Sequence, residues 1–191
     1  MMQATFALLA NSEIHNQVRK LAWDIHRQYH TGIEICRLPP HISLKQPFAV
    51  KEAESLADYL AELARSLTPF EVTLTHLELV EATIDGQATG ILWLNVAETA
   101  ALRDLHNRVN QELAARFGNV PAAFDGATYH FHMSVAIGGQ PLATYRQIVA
   151  EFSDRLVHLH FTVQDLVMFV YDEQSTMYAG YMTYKTLPLG R

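Results

Sequence analysis

Two short stretches of the chain carry the same arrangement, a histidine and a serine separated by one apolar residue. They are His41-Ile42-Ser43-Leu44 and His132-Met133-Ser134-Val135. Side chains in an extended strand alternate between its two faces, so each stretch places its histidine and serine on one face and its apolar residues on the other. Two such strands that face one cleft would bring together two imidazoles and two hydroxyls.

These groups suit acid–base chemistry on a phosphoester. A histidine has an ordinary pKa near ~6.5, so one imidazole can accept a proton from an attacking water or hydroxyl while the other donates a proton to the departing oxygen. Ser43 and Ser134 can donate hydrogen bonds to the non-bridging phosphate oxygens. Lys45 is expected on the same face as His41 and Ser43, where it would add a positive charge. The scheme requires no metal ion and no other cofactor.

The elements around the first motif are predicted from caps and hydrophobic spacing. A buried strand at residues 5–10 leads to a helix that Asn11 or Ser12 begins and that continues to about Tyr29. Pro39 and Pro40 keep the backbone extended just before the motif. Further helices are expected at 51–67, 99–117 and 142–156. Strands are expected at 70–80, 90–96, 129–137 and 177–186, with one long or broken strand at 157–171.

Three local signals refine the predicted hairpins. A change of phase near His76 predicts a bulge in the strand that begins at Phe70. Asp85-Gly86 predicts a tight turn before the returning strand. Trp93 on that strand is expected to pack in the core.

Each motif strand is followed by a helix and then by a pair of strands. This order predicts an α+β, bilobal duplicated fold with two mostly antiparallel sheets, outer helices and a central groove lined by the two His-x-Ser strands. We expect residues 1–191 to form a single domain of two intertwined, pseudo-symmetric lobes.

The composition narrows the range of partners. The 191 residues carry a net charge of −6 with histidine neutral, which argues against binding long duplex nucleic acid. A small phosphoester, a nucleotide or a short RNA stays compatible with this charge. No apolar stretch approaches the ~20 residues that span a bilayer, so no membrane partner is expected. The single cysteine, Cys36, fits a cytoplasmic location. We expect a monomer.

The two motifs resemble the signatures of the 2H phosphoesterase superfamily. The first lies in the stretch from Pro40 to Phe48, and the second is His132-Met133-Ser134-Val135. Within that superfamily the chain is similar to bacterial 2′-5′ RNA ligase-like proteins and RNA 2′,3′-cyclic phosphodiesterases. The resemblance implies metal-independent chemistry on 2′,3′-cyclic or 2′-5′ phosphodiester bonds, with His41 and His132 as the acid–base pair and Ser43 and Ser134 as phosphate ligands.

The same resemblance extends to the end of the chain. Residues 177–181 are similar to the closing strand of the family, where an aromatic side chain can stack on a base, and Tyr178 is the candidate for that role. Many members of the family carry threonine at the two serine positions. Serine keeps the hydroxyl, so the departure is mild.

Two other functions remain open from the sequence. His130 and His132 have a spacing used by metal ligands, and with His41 they would make a metal-dependent hydrolase. In the metal-free scheme His130 only flanks the site. Alternatively, the chain binds a phosphoester without turning it over. The sequence has neither a Gly-x-Ser-x-Gly elbow nor a Gly-rich phosphate loop, so ATP dependence is not expected.

Overall fold

The computed structural model describes residues 2–32, 34–155, 158–172 and 181–191. Within these ranges the chain forms four α-helices, which are α1 (Ser12–Tyr29), α2 (Ala53–Ser66), α3 (Ala100–Phe117) and α4 (Leu142–Phe152). It also forms eight β-strands, which are β1 (Met2–Leu9), β2 (His41–Val50), β3 (Phe70–Ile84), β4 (Gln87–Val96), β5 (His132–Pro141), β6 (Leu159–Val163), β7 (Asp165–Asp172) and β8 (Met182–Pro188). A short 3-10 helix at Glu34–Arg37 precedes the first motif.

The strands form two antiparallel sheets of four, in the orders β2-β1-β7-β8 and β5-β4-β3-β6. Each His-x-Ser motif begins a strand at the edge of its own sheet. These two edge strands contact each other, so the motifs lie where the sheets meet. The predicted α+β fold with two antiparallel sheets and outer helices is confirmed.

The two edge strands carry the same irregularity at the same place. In β2 the pairing moves from Ser43 opposite Ala7 to Lys45 opposite Phe6. The register therefore advances by two residues on β2 and by only one on β1. In β5 the pairing moves from Ser134 to Ala136 while β4 advances by one residue. The extra residue in each strand is a β-bulge. Beyond each serine two consecutive residues are therefore buried, and the alternation of faces changes phase.

The sheets are not assembled from the two halves of the sequence. The strands β3 and β4, which follow the first motif, pair with the second motif strand, and β7 completes the sheet of the first. Two helices likewise pack against the motif strand of the other half of the sequence, since α1 contacts β5 and α3 contacts β2. Each sheet therefore takes strands from both halves of the chain. The order of elements repeats along the chain, but pairing between distant strands decides which sheet each strand joins.

Helix α1 shows how local sequence sets an element. The side chain of Asn11 accepts a hydrogen bond from the backbone N–H of Ile14, which satisfies a donor at the open end of the helix. Five apolar residues then recur at helical spacing and are buried: Ile14, Val18, Leu21, Ala22 and Ile25. The predicted cap and apolar face are confirmed.

The structure contains the predicted bulge and tight turn, but two of the predicted strands have different bounds. The bulge expected near His76 is present, because the register of β3 shifts between Leu74 and Leu77. Asp85 and Gly86 both have positive φ, at 51° and 77°, as the predicted tight turn requires. The second motif strand begins at His132 and not at residue 129. The long or broken strand expected at 157–171 is broken into β6 and β7, which belong to different sheets.

No helix among residues 2–32, 34–155, 158–172 and 181–191 is long and apolar enough to cross a membrane. The prediction of a strand at 177–186 falls partly on residues that lie outside these ranges. The described part of it, β8, pairs with β7.

Candidate active site between the two motif strands

The structure brings the two motifs to one cleft. A cavity of about 330 Å³ lies between the edge strands, and His41, Ser43, His132 and Ser134 all line it. The serines keep to the same face as their histidines because each bulge begins only after the serine. The apolar residues between them, at positions 42 and 133, are fully buried in the core.

Both histidines are held by the same backbone contact. The Nδ1 atom of His41 lies 2.8 Å from the carbonyl oxygen of Pro39, and the Nδ1 atom of His132 lies 2.9 Å from that of His130. A carbonyl oxygen can only accept a hydrogen bond, so Nδ1 carries the proton in each neutral ring. The Nε2 atom of each neutral imidazole is then a proton acceptor, and in the charged ring it is a proton donor.

His41 sits in an apolar setting. Its ring lies 4.9 Å from the ring of Phe169, between centroids. The pKa of His41 is lowered to about 4, chiefly by burial and to a lesser extent by the charges of His132 and Arg19, against the opposing effect of the carbonyl of Pro39. Free His41 is therefore neutral near pH 7, and its Nε2 can act as a base.

Arg19 organises the segment before His41. Its guanidinium donates hydrogen bonds to the carbonyl oxygen of Leu38 and to that of Ile35, the latter at 3.2 Å. These bonds tie helix α1 to the stretch that ends at Pro39, whose carbonyl orients the imidazole. Arg19 therefore holds the backbone that fixes the tautomer of the first histidine.

His132 has a different neighbour from His41. Its ring stacks on the indole of Trp93 with 4.1 Å between centroids and 24° between planes. The indole Nε1 donates a hydrogen bond to Glu78 at 3.1 Å, and the same carboxylate lies 3.4 Å from Nε2 of His130. Burial lowers the pKa of His132, the carbonyl of His130 opposes this, and the charges of His130 and Glu78 act in opposite directions.

Lys45 is not in this cleft, so the expectation that it shares a face with His41 and Ser43 is wrong. Its side chain is only 3% exposed, and its ammonium group donates hydrogen bonds to the carboxylate of Asp125 and to Oδ1 of Asn110, the latter at 2.8 Å. The cause is the bulge in β2, which turns the residue after Leu44 inward.

Comparisons with known proteins agree with this geometry. The model of the 2′-5′ RNA ligase superfamily matches residues 10–175. The chain belongs to that superfamily. This confirms the resemblance to 2H phosphoesterases drawn from the two motifs, and it places the chain among enzymes of the phosphoesterase and ligase type. No curated protein matches the sequence significantly.

Solved structures share the fold at low sequence identity. TT0787 of Thermus thermophilus is 14% identical with a TM-score of 0.66, and 98% of each chain is covered. LigT of Escherichia coli complexed with NADP+ is 15% identical with a TM-score of 0.57, covering 100% of this chain and 98% of LigT. Usb1 of Kluyveromyces marxianus is 19% identical with a TM-score of 0.56, and 98% of each chain is covered.

His130 and Tyr178 are the remaining predicted site residues of this superfamily member. His130 does not line the cleft but flanks it, with its ring stacked 5.5 Å from that of Trp93. Among the described residues no group of three histidine, cysteine, aspartate or glutamate side chains is placed to hold a metal ion. His41, His130 and His132 are therefore not arranged as a ligand set. Tyr178 lies outside the described residues.

The residues that line the cleft but were missed or misread from the sequence include three large aromatic side chains and an arginine. Trp93 lines the cleft and does not pack in the core as expected. Its neighbours Leu92 and Leu94 are fully buried, so the alternation of β4 already indicated that Trp93 faces the other way. Arg37, Phe124 and Tyr181 also line the cleft. Arg37 ends the short 3-10 helix, and Phe124 and Tyr181 lie outside helices and strands, so no periodic pattern indicates the direction of these side chains.

Proposed function

We propose that the protein is a metal-independent phosphodiesterase that acts on 2′,3′-cyclic phosphate or 2′-5′ phosphodiester bonds of RNA ends, short oligonucleotides or nucleotides. The observation that carries this proposal is the matched pair of histidines. Each has its Nδ1 engaged by a backbone carbonyl and each lines one cleft beside a serine. Two imidazoles with this tautomer can supply one base and one acid to the same phosphate.

In hydrolysis, one neutral imidazole takes a proton from water at Nε2 while the water oxygen bonds to phosphorus. The other imidazole, in its charged form, gives its Nε2 proton to the ribose oxygen as the P–O bond breaks. One proton is thus taken up and one released, and the histidines exchange roles in the reverse, ligating direction. The hydroxyls of Ser43 and Ser134 donate hydrogen bonds to the non-bridging oxygens, where charge develops.

The substrate is proposed to be small. The chain has a net charge of −6, and among the described residues that line the cleft Arg37 is the only lysine or arginine. Long RNA needs a row of basic contacts along its backbone. The fold relative LigT has been crystallised with NADP+, with 3′-AMP and with ATP, so that protein accommodates single nucleotides. A monomeric state and a cytoplasmic location stay predictions of the sequence.

The direct test is turnover without added metal. We expect the purified protein to cleave nucleoside 2′,3′-cyclic phosphates or 2′-5′-linked dinucleotides, and to do so equally in excess chelator, because both proton transfers use imidazoles. Chromatography of the products as 2′- or 3′-phosphates identifies the bond that breaks. Activity that the chelator abolishes and metal restores would favour a metal hydrolase. Nucleotide binding without cleavage of any substrate in the panel would favour a binding module.

The pH dependence of kcat/KM should show an optimum on the acidic side of neutrality, between about 4 and 6.5. The base must be neutral and the acid charged, and both histidines have pKa values below 6.5 in the free protein. Above that pH the charged fraction of the acid falls, so kcat/KM should fall about tenfold per pH unit. A bound phosphate stabilises the charged imidazole, so the optimum of kcat should lie at higher pH than that of kcat/KM.

Initial rates on one cyclic nucleotide across this range check the profile. The folded state itself loses stability on acidification, because His41 binds a proton near pH 6.5 when unfolded but only near 4 when folded. The melting temperature should therefore be measured at each pH, so that loss of activity can be distinguished from unfolding. A kcat/KM that rises through neutrality would contradict the lowered pKa values.

A further inference from the structure

Glu78 is a carboxylate of β3 that reaches the active-site face of its sheet because of the bulge in that strand. Val72 and Leu74 are buried on the core face, and continued alternation would put Glu78 on that face as well. The register shifts between Leu74 and Leu77, so Leu77 takes the core position and Glu78 lies on the opposite face. There it is paired with Trp93 of β4, which lines the cleft.

The carboxylate of Glu78 contacts two of the groups that surround His132. It accepts a hydrogen bond from the indole Nε1 of Trp93 at 3.1 Å, and it lies 3.4 Å from Nε2 of His130. The indole stacks on the ring of His132, and the backbone carbonyl of His130 accepts the hydrogen bond from Nδ1 of the same ring. One carboxylate therefore links the aromatic surface and the backbone segment that together orient the second histidine.

Neither folding nor direct contact with a substrate accounts for this arrangement. The side chains of Glu78 and His130 are 36% and 48% exposed, and charge pairs at such exposure contribute little to stability. Neither residue lines the cleft. Arg19 has the corresponding place at the first motif, where it ties down the backbone before His41. Each histidine thus has a charged side chain that holds its orienting backbone, a cation for the first and an anion for the second.

We propose that Glu78 is a positioning residue for His132, whose ring it holds in one orientation through the indole of Trp93 and the backbone of His130. The inference rests on the proposed function, since it assigns the second imidazole to proton transfer. A ring that is fixed at both its stacking face and its Nδ1 edge keeps Nε2 aimed at one point. Small misplacements of a reacting group lower the rate strongly, so this restraint matters for turnover.

The negative charge of Glu78 acts on the same imidazole. Burial lowers the pKa of His132 most, the charge of His130 lowers it further, and the charge of Glu78 raises it. The other charged or titratable groups at the cleft are His41 and Arg37, neither of which is an anion at neutral pH. Removing the charge of Glu78 should therefore lower the pKa of His132 further. A site that merely loosened and admitted water would raise that pKa toward its ordinary value.

Steady-state kinetics separate the hydrogen bond of Glu78 from its charge. Glu78→Ala removes both and should lower kcat on a cyclic nucleotide roughly 3- to 30-fold with little change in KM, because the ring loses a restraint while the serines stay in place. Glu78→Gln keeps an acceptor for the indole N–H and should restore most of that kcat, while the alkaline limb of kcat/KM moves to lower pH. Glu81→Gln is the matched control, since Glu81 is an exposed carboxylate of the same strand that pairs with Arg146.

Proton–carbon NMR of the imidazole rings separates this inference from the proposed function, because it needs no turnover. The signal of His132, identified by its loss in His132→Asn, is followed through a pH titration of the wild type, Glu78→Gln and Glu81→Gln. A lower pKa of His132 in Glu78→Gln alone supports the inference even if the wild type cleaves nothing, and in that case only the proposed reaction fails. A pKa that is unchanged or higher in Glu78→Gln, or wild-type kcat in Glu78→Ala, overturns the inference.

Discussion

Replacing either His41 or His132 with asparagine is expected to lower kcat by roughly 10²- to 10⁴-fold, the usual contribution of one general acid or base. Asparagine can keep the hydrogen bond that Nδ1 now makes to the carbonyl of Pro39 or His130, while it removes Nε2. KM should change little, because the serines still bind the phosphate. Steady-state kinetics on a cyclic nucleotide measure both constants.

His26→Asn is the matched control for these variants. The Nδ1 atom of His26 lies 2.6 Å from a backbone carbonyl oxygen, that of Thr31, and the residue does not line the cleft. This variant should keep full activity. The double variant of His41 and His132 should be only slightly less active than the worse single variant, because residues that act as a unit are not additive. If either single variant kept wild-type kcat, the two-histidine mechanism would be wrong.

The same variants can assign the two roles. A nucleotide ester with a p-nitrophenol leaving group needs no protonation of the departing oxygen, so the variant that lacks the acid should recover most of its loss on this substrate. The variant that lacks the base should not recover. The surroundings differ enough for the roles to be unequal, since His41 packs against Phe169 whereas His132 stacks on an indole that is hydrogen-bonded to Glu78.

The catalytic pairs were predictable because their geometry is local. The spacing His-x-Ser and the extended backbone after Pro40 are enough to put His41 and Ser43 on one face, and the same holds for the second motif. The prediction fails two residues later at Lys45. The direction of that side chain depends on a bulge, and the bulge depends on the register with β1, which is some forty positions away in the sequence.

Long-range pairing also explains the other failures. Which sheet β7 joins is decided by its pairing with β1, and no local pattern reports that choice. The buried ion pair of Asp125 could not be predicted from the sequence around it, because its partner, Lys45, lies 80 positions earlier. Phe124 has no periodic neighbours to indicate its direction. The sequence therefore predicts the two His-x-Ser pairs and their chemistry. The other groups around the cleft are placed by tertiary contacts that the sequence does not reveal.

Asp125→Asn is expected to lower the free energy of unfolding by about 3–5 kcal/mol, the usual cost of removing one partner from a buried ion pair. The Lys45 side chain is only 3% exposed, and its ammonium group would have no carboxylate to balance it. The surroundings already disfavour positive charge, because burial lowers the pKa of the neighbouring His106. Urea unfolding followed by circular dichroism measures the change.

The reason for this loss is the uncompensated charge and not the missing contact, and a double-mutant cycle separates the two. Adding Lys45→Met to Asp125→Asn removes the charge and should recover most of the stability, since a neutral pair in a buried site is often as stable as an ion pair. Glu81→Ala, which breaks the exposed pair with Arg146, should cost less than about 1 kcal/mol. If the double variant were no more stable than Asp125→Asn, the carboxylate would act through the loop that carries Phe124 and not through Lys45.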